Sequence, residues 1–493
     1  MKSKRYILAL DEGTSSARAV LFDTQKNEIT SIEKKEFKQI YPKQGWVEQN
    51  PKDIWQAQLS ALYEAASHTS PEEIAGIGIT NQRETVIMWN KITGEAVYNA
   101  IVWQCRRTAE YCSKLLEDKE LVKTIQKKTG LFPDPYFSAT KIKWILDNVP
   151  LAKKTLKEGN LLAGTIDTYL VWKLTKGESF VTDTSNASRT MLFNINTLDW
   201  DDELLKLFNI PRSILPKVVQ SSEIVGETTI LGSPISIAGI AGDQQASLFG
   251  QTCFNEGEIK NTYGTGCFLL VNIGSKPKFS KNKLLTTVAW TIGGKTTYAL
   301  EGGVFNAGTA VRWLRDEMGL ITSSAESETY AKKVKNTNGV YFVPGFTGLG
   351  APWWDSNARG MYNGLTLGSN KNHLIRAVLE AIAYSSKDVF NVILKETGLD
   401  IKTLYVDGGA SENNLLMQFQ SDILNLDIKR TKIMETTAMG AAYLAGLATG
   451  VYKSVEDIKK IVSHDKVFKP KMEEKERTAL YEGWLRAVKR SLK

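Results

Sequence analysis

The chain contains one local pattern twice, once near its start and once just past its middle. Residues 8 to 23 read LALDEGTSSARAVLFD and residues 259 to 274 read IKNTYGTGCFLLVNIG, each an apolar run, a Gly-Thr turn and a second apolar run. A unit repeated at such a distance indicates two halves built on one plan. We therefore expect two domains, residues 1–250 and 251–493, divided after Gly250.

Short β-branched runs alternate with helical patterns along the whole chain. RYILAL, ARAVLF, IAGIGIT, ISIAGIAG, CFLLVNIG and TLYVDGG are typical of buried strands. Asn50 followed by Pro51 predicts the start of an amphipathic helix, and another is predicted over residues 473–491. The sequence therefore predicts an α/β fold, and 493 residues exceed what one hydrophobic core usually serves.

Composition excludes several classes of function. The formal charge of +8 comes from 62 basic and 54 acidic side chains that are mixed along the chain, so nucleic acid is not predicted as a partner, whereas an anionic small molecule remains compatible with this charge. The first apolar run is too short for a secretory signal, and no run approaches a membrane span, which predicts a cytoplasmic protein without membrane insertion. The four cysteines have no metal-site spacing and are expected to be reduced and mostly buried.

The first Gly-Thr turn carries the donors that a phosphate chain needs. Its polar side chains are Asp11, Thr14, Ser15, Ser16 and Arg18. Backbone N–H groups, hydroxyls and the arginine can bind phosphate oxygens, and Asp11 can hold magnesium through water. One copy alone is explained as well by an ordinary hairpin turn, but a second at Gly264, Thr265 and Gly266 favours two loops gripping one triphosphate. Neither loop is a Walker A motif.

A third glycine turn, VDGGASENN at residues 406–414, lies between a strand pattern and a helical pattern. Gly408 and Gly409 allow close backbone approach, and the following helix start favours polar or anionic groups. This turn is therefore a candidate nucleotide site, with a plain strand-to-helix connection as the alternative.

Three charged residues are candidates for chemistry. Asp243, in GIAGDQQASLFG, lies where a strand passes into a helix, a position typical of active-site acids, with a helix N-cap as the alternative. Arg83 and Glu84, in TNQRET, can both reach one ligand at a strand end, and exposed solubility residues are the alternative.

Longer motifs resemble one known family, the FGGY carbohydrate kinases, over essentially the whole chain. YFSATKIKWILDN at 136–148 and GMYNGLTLGSNKNHLIRAVLE at 360–380 are similar to the two family signatures. NQRET, NAIVWQCRRT, DPYFS, TDTSNASRTMLFNI, LDWDDELL, AGDQQASLFGQ, NTYGTGCF and FTGLGAPWWD are similar to motifs of its polyol kinases. The resemblance implies two ribonuclease H-like domains of the actin-like ATPase type, with ATP held in a cleft between them.

The resemblance also implies the reaction and its residues. It implies ATP- and Mg²⁺-dependent phosphorylation of glycerol, or of another small polyol or ketose, by a homo-oligomer (dimer or tetramer). Asp243 is the implied general base. The implied polyol-binding residues are Arg83, Glu84, Tyr136, Asp243 and Gln244. The implied nucleotide-binding residues are Thr14, Ser15, Ser16, Arg18, Thr265, Gly308, Gly409 and Asn413, and Asp11 and Asp243 are the implied metal residues.

Several positions depart from the family pattern, and in the first loop Ser15 replaces threonine and Ala17 replaces serine. Glu12 stands where the first loop usually has glutamine, so its carboxylate is expected to point away from phosphates or to be paired. Arg312 stands where glutamine is common near the nucleotide, and its role is left open between phosphate, ribose and nucleotide preference. A different class, an actin-like or chaperone-like ATPase, is disfavoured because the polyol set is complete.

Overall fold

The computed structural model describes residues 4–355 and 357–492. The strands of the first half are β1 (Tyr6–Glu12), β2 (Ser16–Asp23), β3 (Glu28–Glu36), β4 (Gln39–Ile40), β5 (Glu48–Gln49), β6 (Ile74–Asn81), β7 (Val86–Asn90), β8 (Ala100–Ile101), β9 (Leu161–Thr165), β10 (Val181–Asp183), β11 (Phe193–Asn194), β12 (Asp199–Trp200), β13 (Lys217–Val219), β14 (Ser222–Thr228) and β15 (Ile235–Gly242). Those of the second half are β16 (Ile259–Tyr263), β17 (Cys267–Asn272), β18 (Leu285–Ile292), β19 (Lys295–Val304), β20 (Tyr341–Val343), β21 (Met361–Asn363), β22 (Thr403–Asp407), β23 (Asp427–Thr431) and β24 (His464–Phe468).

Helices cover these strands. They are α1 (Pro51–Ala66), α2 (Ala109–Glu117), α3 (Lys119–Thr129), α4 (Ser138–Asn148), α5 (Pro150–Lys157), α6 (Ile166–Leu174), α7 (Thr184–Ala187), α8 (Asp202–Phe208), α9 (Asp243–Gly250), α10 (Gly308–Asp316), α11 (Glu326–Ala331), α12 (Lys371–Thr397), α13 (Asn414–Leu424), α14 (Thr436–Ala448), α15 (Val455–Ile461) and α16 (Glu474–Ser491). Short 3₁₀ turns occupy Pro71–Glu73, Arg212–Ile214 and Gly409–Glu412.

The two main sheets share an arrangement of six strands, and the second sheet has a seventh strand, β18, at its edge. In the first half the strand order is β14-β15-β6-β1-β2-β3, and in the second it is β18-β19-β17-β16-β22-β23-β24. In both, a hairpin (β1–β2 or β16–β17) is extended by an antiparallel strand on one side (β3 or β19). On the other side lie two parallel strands (β6 and β15, or β22 and β23) and an antiparallel edge strand. The repeated sequence pattern is therefore the central hairpin of each sheet.

Two helices join the halves at very short range. A Cβ added to Gly440 in α14 would lie 1.8 Å from the carbonyl oxygen of Ala246 in α9, and one added to Gly250 would lie 2.0 Å from that of Thr436. Only glycine permits backbones this close. Because α14 also packs against the first sheet, where a Cβ on Gly78 would meet the Ala441 carbonyl at 2.1 Å, the start of α9 is fixed against both halves.

The local predictions made from sequence are confirmed. Every run predicted as a strand forms one, and α1 begins at Pro51, with the Asn50 side chain accepting a hydrogen bond from the Lys52 amide. The predicted last helix is α16. All four cysteines are free and buried. Within the described residues, every helix is too short or too polar to cross a bilayer.

Candidate active site

Asp243 is the first residue of α9, directly after β15. The N-cap position belongs to Gly242, so the alternative of an N-cap aspartate is wrong. The Asp243 Oδ1 accepts a hydrogen bond from the backbone N–H of Gln244 at 2.7 Å and lies 3.1 Å from Arg83 Nε. Its side chain remains 32% exposed, which leaves the carboxylate accessible to a ligand.

Arg83 and Glu84 follow the parallel strand β6 and are buried, so the alternative of exposed solubility residues is wrong. Glu84 has a φ of 61°, a left-handed conformation that is unusual outside glycine. In this conformation its carboxylate stays on the same side as its neighbour, with Glu84 Oε1 3.8 Å from Arg83 Nε. The two side chains therefore lie side by side at the end of β6.

A buried cluster of two arginines and two glutamates holds this site. Arg189 Nε donates to Glu84 Oε1 at 2.6 Å and its Nη2 donates to Glu301 Oε1 at 3.1 Å. Arg83 grips both oxygens of Glu301, at 2.5 and 3.1 Å. Burial alone would raise the pKa of Glu301, but the two guanidinium charges outweigh it and lower the pKa to about 2. The two positive charges of the cluster therefore balance its two negative charges. Glu301 reaches the cluster from β19, in the second half of the chain.

Tyr136 forms an aromatic wall beside the cluster. Its hydroxyl accepts from Arg83 Nη2 at 3.3 Å, and its ring packs edge-on against Trp103 with centroids 5.6 Å apart. The Trp103 indole N–H donates to the Thr14 hydroxyl at 3.0 Å. Tyr136 is thus linked through Trp103 to the first Gly-Thr turn, which carries Thr14.

Gln244 lies between Asp243 and a buried lysine. Its Nε2 donates to Asp243 Oδ2 at 3.3 Å, and its Oε1 accepts from Lys260 Nζ at 2.5 Å. Lys260 also donates to the Thr262 hydroxyl at 2.7 Å. Burial lowers the pKa of Lys260 to about 8, although the carboxylates of Asp407, Asp243 and Glu301 oppose the shift.

The first phosphate loop joins β1 to β2. Ser15 is exposed, Thr14 half-buried and Ser16 buried. Arg18 donates to Glu435 at 2.7 Å and lies 3.6 Å from Asp11. Burial raises the pKa of Asp11 to about 6 against the opposing charge of Arg18.

Glu12, the departure in this loop, is fully buried and paired. Its Oε1 accepts from Gln82 Nε2 at 3.0 Å, on the opposite face of β1 from Asp11. The Glu12 carboxylate is therefore hydrogen-bonded at one oxygen, whereas its buried Oε2 has no hydrogen-bond partner among the described residues, and burial raises its pKa well above the ordinary value.

The second phosphate loop is more open. Gly264 and Thr265 are exposed, and the Gly308 amide donates to the Gly264 carbonyl at 3.0 Å, so the start of α10 supports the loop. Arg312, also exposed, brings Nη2 to 3.5 Å from the Thr265 hydroxyl. The structure therefore brings Thr265, Gly308 and Arg312 together.

The third glycine turn lies against the second loop. Gly408 has a φ of 84°, and a Cβ there would lie 2.6 Å from the Tyr263 carbonyl oxygen. Gly409 faces open space, since an added Cβ would meet nothing within 4 Å. Asn413 caps α13 by accepting from the Leu416 amide at 2.9 Å. Within the described chain, no hydrogen bond joins Asn413 or Gly409 to the phosphate loops directly.

The carboxylates fit a magnesium ion of the kind that nucleotides carry. Among the described residues, no group of three or more acidic, histidine or cysteine side chains forms a metal cage. Mg²⁺ needs none, since it usually keeps several waters and binds one or two carboxylates plus phosphates. Asp11 and Asp243 supply two carboxylates close enough for the charge of Asp243 to raise the pKa of Asp11.

Several residues of the site were missed by the sequence predictions, namely Trp103, Arg189, Lys260, Glu301 and Glu435. Glu301 and Lys260 carried a usable signal, because a lone charge inside a strand is rarely buried without a partner. Arg189 lies in TDTSNASRTMLFNI, a segment already noted for its resemblance, but nothing in its spacing points to Glu84.

Taken together, the duplicated sheets, the two glycine loops and the acid at a strand-to-helix junction define a nucleotide-dependent phosphotransferase of the actin-like type. Residues 6–250 match the N-terminal domain of the FGGY family of carbohydrate kinases, and residues 259–449 match its C-terminal domain. The chain belongs to the FGGY family of carbohydrate kinases.

Individual members of this family are similar to the chain over its whole length. The chain is 56% identical to the glycerol kinases of Francisella philomiragia and Clostridium beijerinckii, over 99% of each chain. The crystal structure of Plasmodium falciparum glycerol kinase with ADP superposes with a TM-score of 0.93 at 38% identity, covering 100% of this chain and 99% of that one. A ligand-bound xylulose kinase from Lactobacillus acidophilus gives 0.87 at 26% identity, covering 98% and 97%. The predicted two-domain actin-like fold is confirmed.

Proposed function

We propose that this chain is a glycerol kinase, which transfers the γ-phosphoryl group of ATP to a terminal hydroxyl of glycerol to give sn-glycerol 3-phosphate and ADP. The observation that carries the proposal is full-length identity of 56% to glycerol kinases together with a complete set of polyol-binding side chains around Arg83. The xylulose kinase, at 26% identity, is a weaker guide to the substrate.

The polyol-binding groups match a small triol. The carboxylates of Glu84 and Asp243 accept hydrogens from hydroxyls, whereas Arg83 and Gln244 donate to hydroxyl oxygens. Tyr136 offers an apolar ring with a polar tip, which suits a carbon chain bearing hydroxyls on one side. Since Arg83 already contacts both Glu84 and Tyr136, the substrate meets a site with little left to reorganise.

Asp243 acts as the general base. An alcohol oxygen is a poor nucleophile, so the half-exposed carboxylate accepts its proton as the oxygen attacks the γ-phosphorus in line. The nearby Arg83 Nε orients the carboxylate. Bond breaking to the β-phosphate oxygen leaves ADP, and the two halves exclude water that would otherwise hydrolyse ATP.

The nucleotide is proposed to lie across the glycine loops. Thr14, Ser15, Ser16 and Arg18 approach its phosphates from the first half, and Thr265 with the Gly308 backbone from the second. Gly409 and Asn413 receive the adenosine. Magnesium, held by Asp11 and Asp243 with water, would neutralise phosphate charge.

Three further points belong to the proposal. The domains are residues 1–250 and 251–493, with the α9–α14 contact as the joint between them. The enzyme is a homo-oligomer, dimer or tetramer, which light scattering of the purified protein tests directly. It works in the cytoplasm, where ATP is available.

The decisive experiment is an assay of ADP formation with glycerol, dihydroxyacetone, erythritol and xylulose as acceptors. The highest kcat/KM is expected for glycerol. A higher kcat/KM for xylulose would instead identify the chain as a ketose kinase. ATP hydrolysis that no acceptor stimulates would instead favour an actin-like or chaperone-like ATPase.

A further inference from the structure

Lys260 is a buried cation at the floor of the site that has no part in the reaction as described above. It lies on β16, three residues before Tyr263 and the second phosphate loop, and is 0% exposed. A buried ammonium group is costly unless it is well paired, so its partners indicate what it does. Those partners are Gln244, next to Asp243, and Thr262 on its own strand.

The hydrogen bond to Gln244 fixes which way that side chain's amide points. An ammonium group can only donate, so it selects the oxygen of the amide and turns the NH₂ group the other way. The NH₂ group then faces Asp243 Oδ2, at 3.3 Å. If the amide were reversed, its oxygen would oppose the carboxylate and its NH₂ group would oppose the ammonium, leaving both contacts repulsive.

The same lysine is connected to the third glycine turn. Thr262 shares a hydrogen bond with Ser247 in α9 at 3.2 Å, and Ser247 donates to Asp407 Oδ2 at 2.8 Å. Asp407 is the last residue of β22, directly before Gly408. A continuous polar chain therefore runs from the base to the proposed adenosine site, with Lys260 at the end nearest the base.

We propose that Lys260 is a positioning residue, which orients the Gln244 amide and through it holds Asp243 in the geometry for proton transfer. This inference rests on the proposed function, because it concerns the same base and the same polyol subsite. Lys260 acts through Gln244 and does not touch the substrate. Its effect is therefore expected to depend on the presence of the Gln244 amide.

The test is a double-mutant cycle of Lys260→Met, Gln244→Leu and the double variant, assayed for glycerol-dependent ADP formation. Misplacing a catalytic group by about 1 Å costs on the order of 100-fold, so K260M is expected to lower kcat roughly 10- to 100-fold. KM for glycerol should rise, and KM for ATP should stay within about threefold. The double variant should resemble the more damaged single variant, since the two residues act as one unit.

Losses that multiply in the double variant, or a K260M enzyme with wild-type kcat, would overturn the proposal. A purely structural role would lower the folded fraction while leaving both KM values unchanged, which thermal melts and active-site titration detect. Lys387→Met is the control, because Lys387 is a partly buried lysine that donates to a carbonyl, that of Ile423, away from the cleft. It should retain wild-type kinetics.

A second variant keeps the test decisive if K260M does not fold. Lys260→Gln retains an NH₂ donor group without the charge, so a loss of kcat smaller than that of Q244L supports the proposal. A loss equal to or larger than that of Q244L contradicts it. Wild-type activity toward glycerol is measured in the same experiment, so failure of the proposed function is distinguished from failure of this inference.

Discussion

The proposed polyol subsite and the proposed nucleotide loops are held together by different kinds of interaction. Arg83, Glu84, Arg189 and Glu301 are each at most 3% exposed and are held by ion pairs between side chains. The phosphate loops are partly exposed and are closed by backbone hydrogen bonds, Gly13 N to Ser16 O and Gly264 N to Gly266 O, both 2.9 Å.

This difference follows from what each region recognises. A polyol presents a few hydroxyls, which fixed donors and acceptors must match. If one partner of a buried ion pair is missing, the other charge is left buried and unpaired, which is costly. A phosphate chain presents dense negative charge, which any exposed N–H group can bind. Side-chain substitutions should therefore damage the first region most, and added bulk on glycine should damage the second.

The largest effect is expected at Asp243, which belongs to both regions. Asp243→Asn keeps the shape of the side chain but cannot accept the proton, so kcat should fall on the order of 100-fold or more, the usual size of general-base effects. Glycerol binding, measured by calorimetry, should persist. A variant with full turnover would remove the base assignment.

Glu301→Gln tests whether ion pairing organises the polyol subsite from the second half. Breaking a buried pair costs about 3–5 kcal/mol, so the thermal midpoint should fall. We expect kcat/KM for glycerol to fall roughly 10- to 100-fold, as for other misplaced site groups. KM for ATP should change little. Glu482→Gln, an exposed glutamate on α16, is the control and should match the wild type.

Comparison of E301Q with the wild type also tests how the stability contributed by Glu301 depends on pH. The pKa of Glu301 is lowered from 4.5 to about 2, so the carboxylate stabilises the fold above pH 4.5 and loses this contribution as the pH falls from 4.5 toward 2. The difference in thermal midpoint between wild type and E301Q should therefore be constant near neutrality and shrink below pH 4.5. A difference that grows on acidification would contradict the ion-pair account.

Gly308→Ala tests the other region of the comparison, the nucleotide loops. The added Cβ would lie 2.5 Å from the Gly264 carbonyl oxygen, so the second loop must shift. We expect KM for ATP to rise roughly tenfold, about 1.4 kcal/mol, while KM for glycerol stays unchanged. Gly368→Ala, whose Cβ would meet its nearest neighbour at 3.7 Å, is the matched control. An equal rise in both KM values would show that the two regions are not separable.

The sequence predicted the glycine loops better than the buried ion pairs, for a physical reason. A strand, a Gly-Thr turn and a strand are contiguous in the chain, so local pattern is enough to predict the hairpins around Thr14 and Thr265. Glu301 and Arg83 are 218 positions apart, and only the folded topology brings them together. Asp243 was found because its junction between strand and helix is again a local feature.

The smallest effect is expected at the ion pair between the first loop and α14. Glu435 holds Arg18 at 2.7 Å and so competes with phosphate for the guanidinium. The two side chains are 29% and 35% exposed, and such pairs contribute about 0.2–1 kcal/mol. Glu435→Gln should therefore lower KM for ATP by roughly two- to threefold without changing KM for glycerol. Because the pair is screened by salt, the gain should shrink as ionic strength rises. A higher KM for ATP would mean that Glu435 orients Arg18 toward the nucleotide, making this loop dependent on side-chain pairing, as the polyol subsite is.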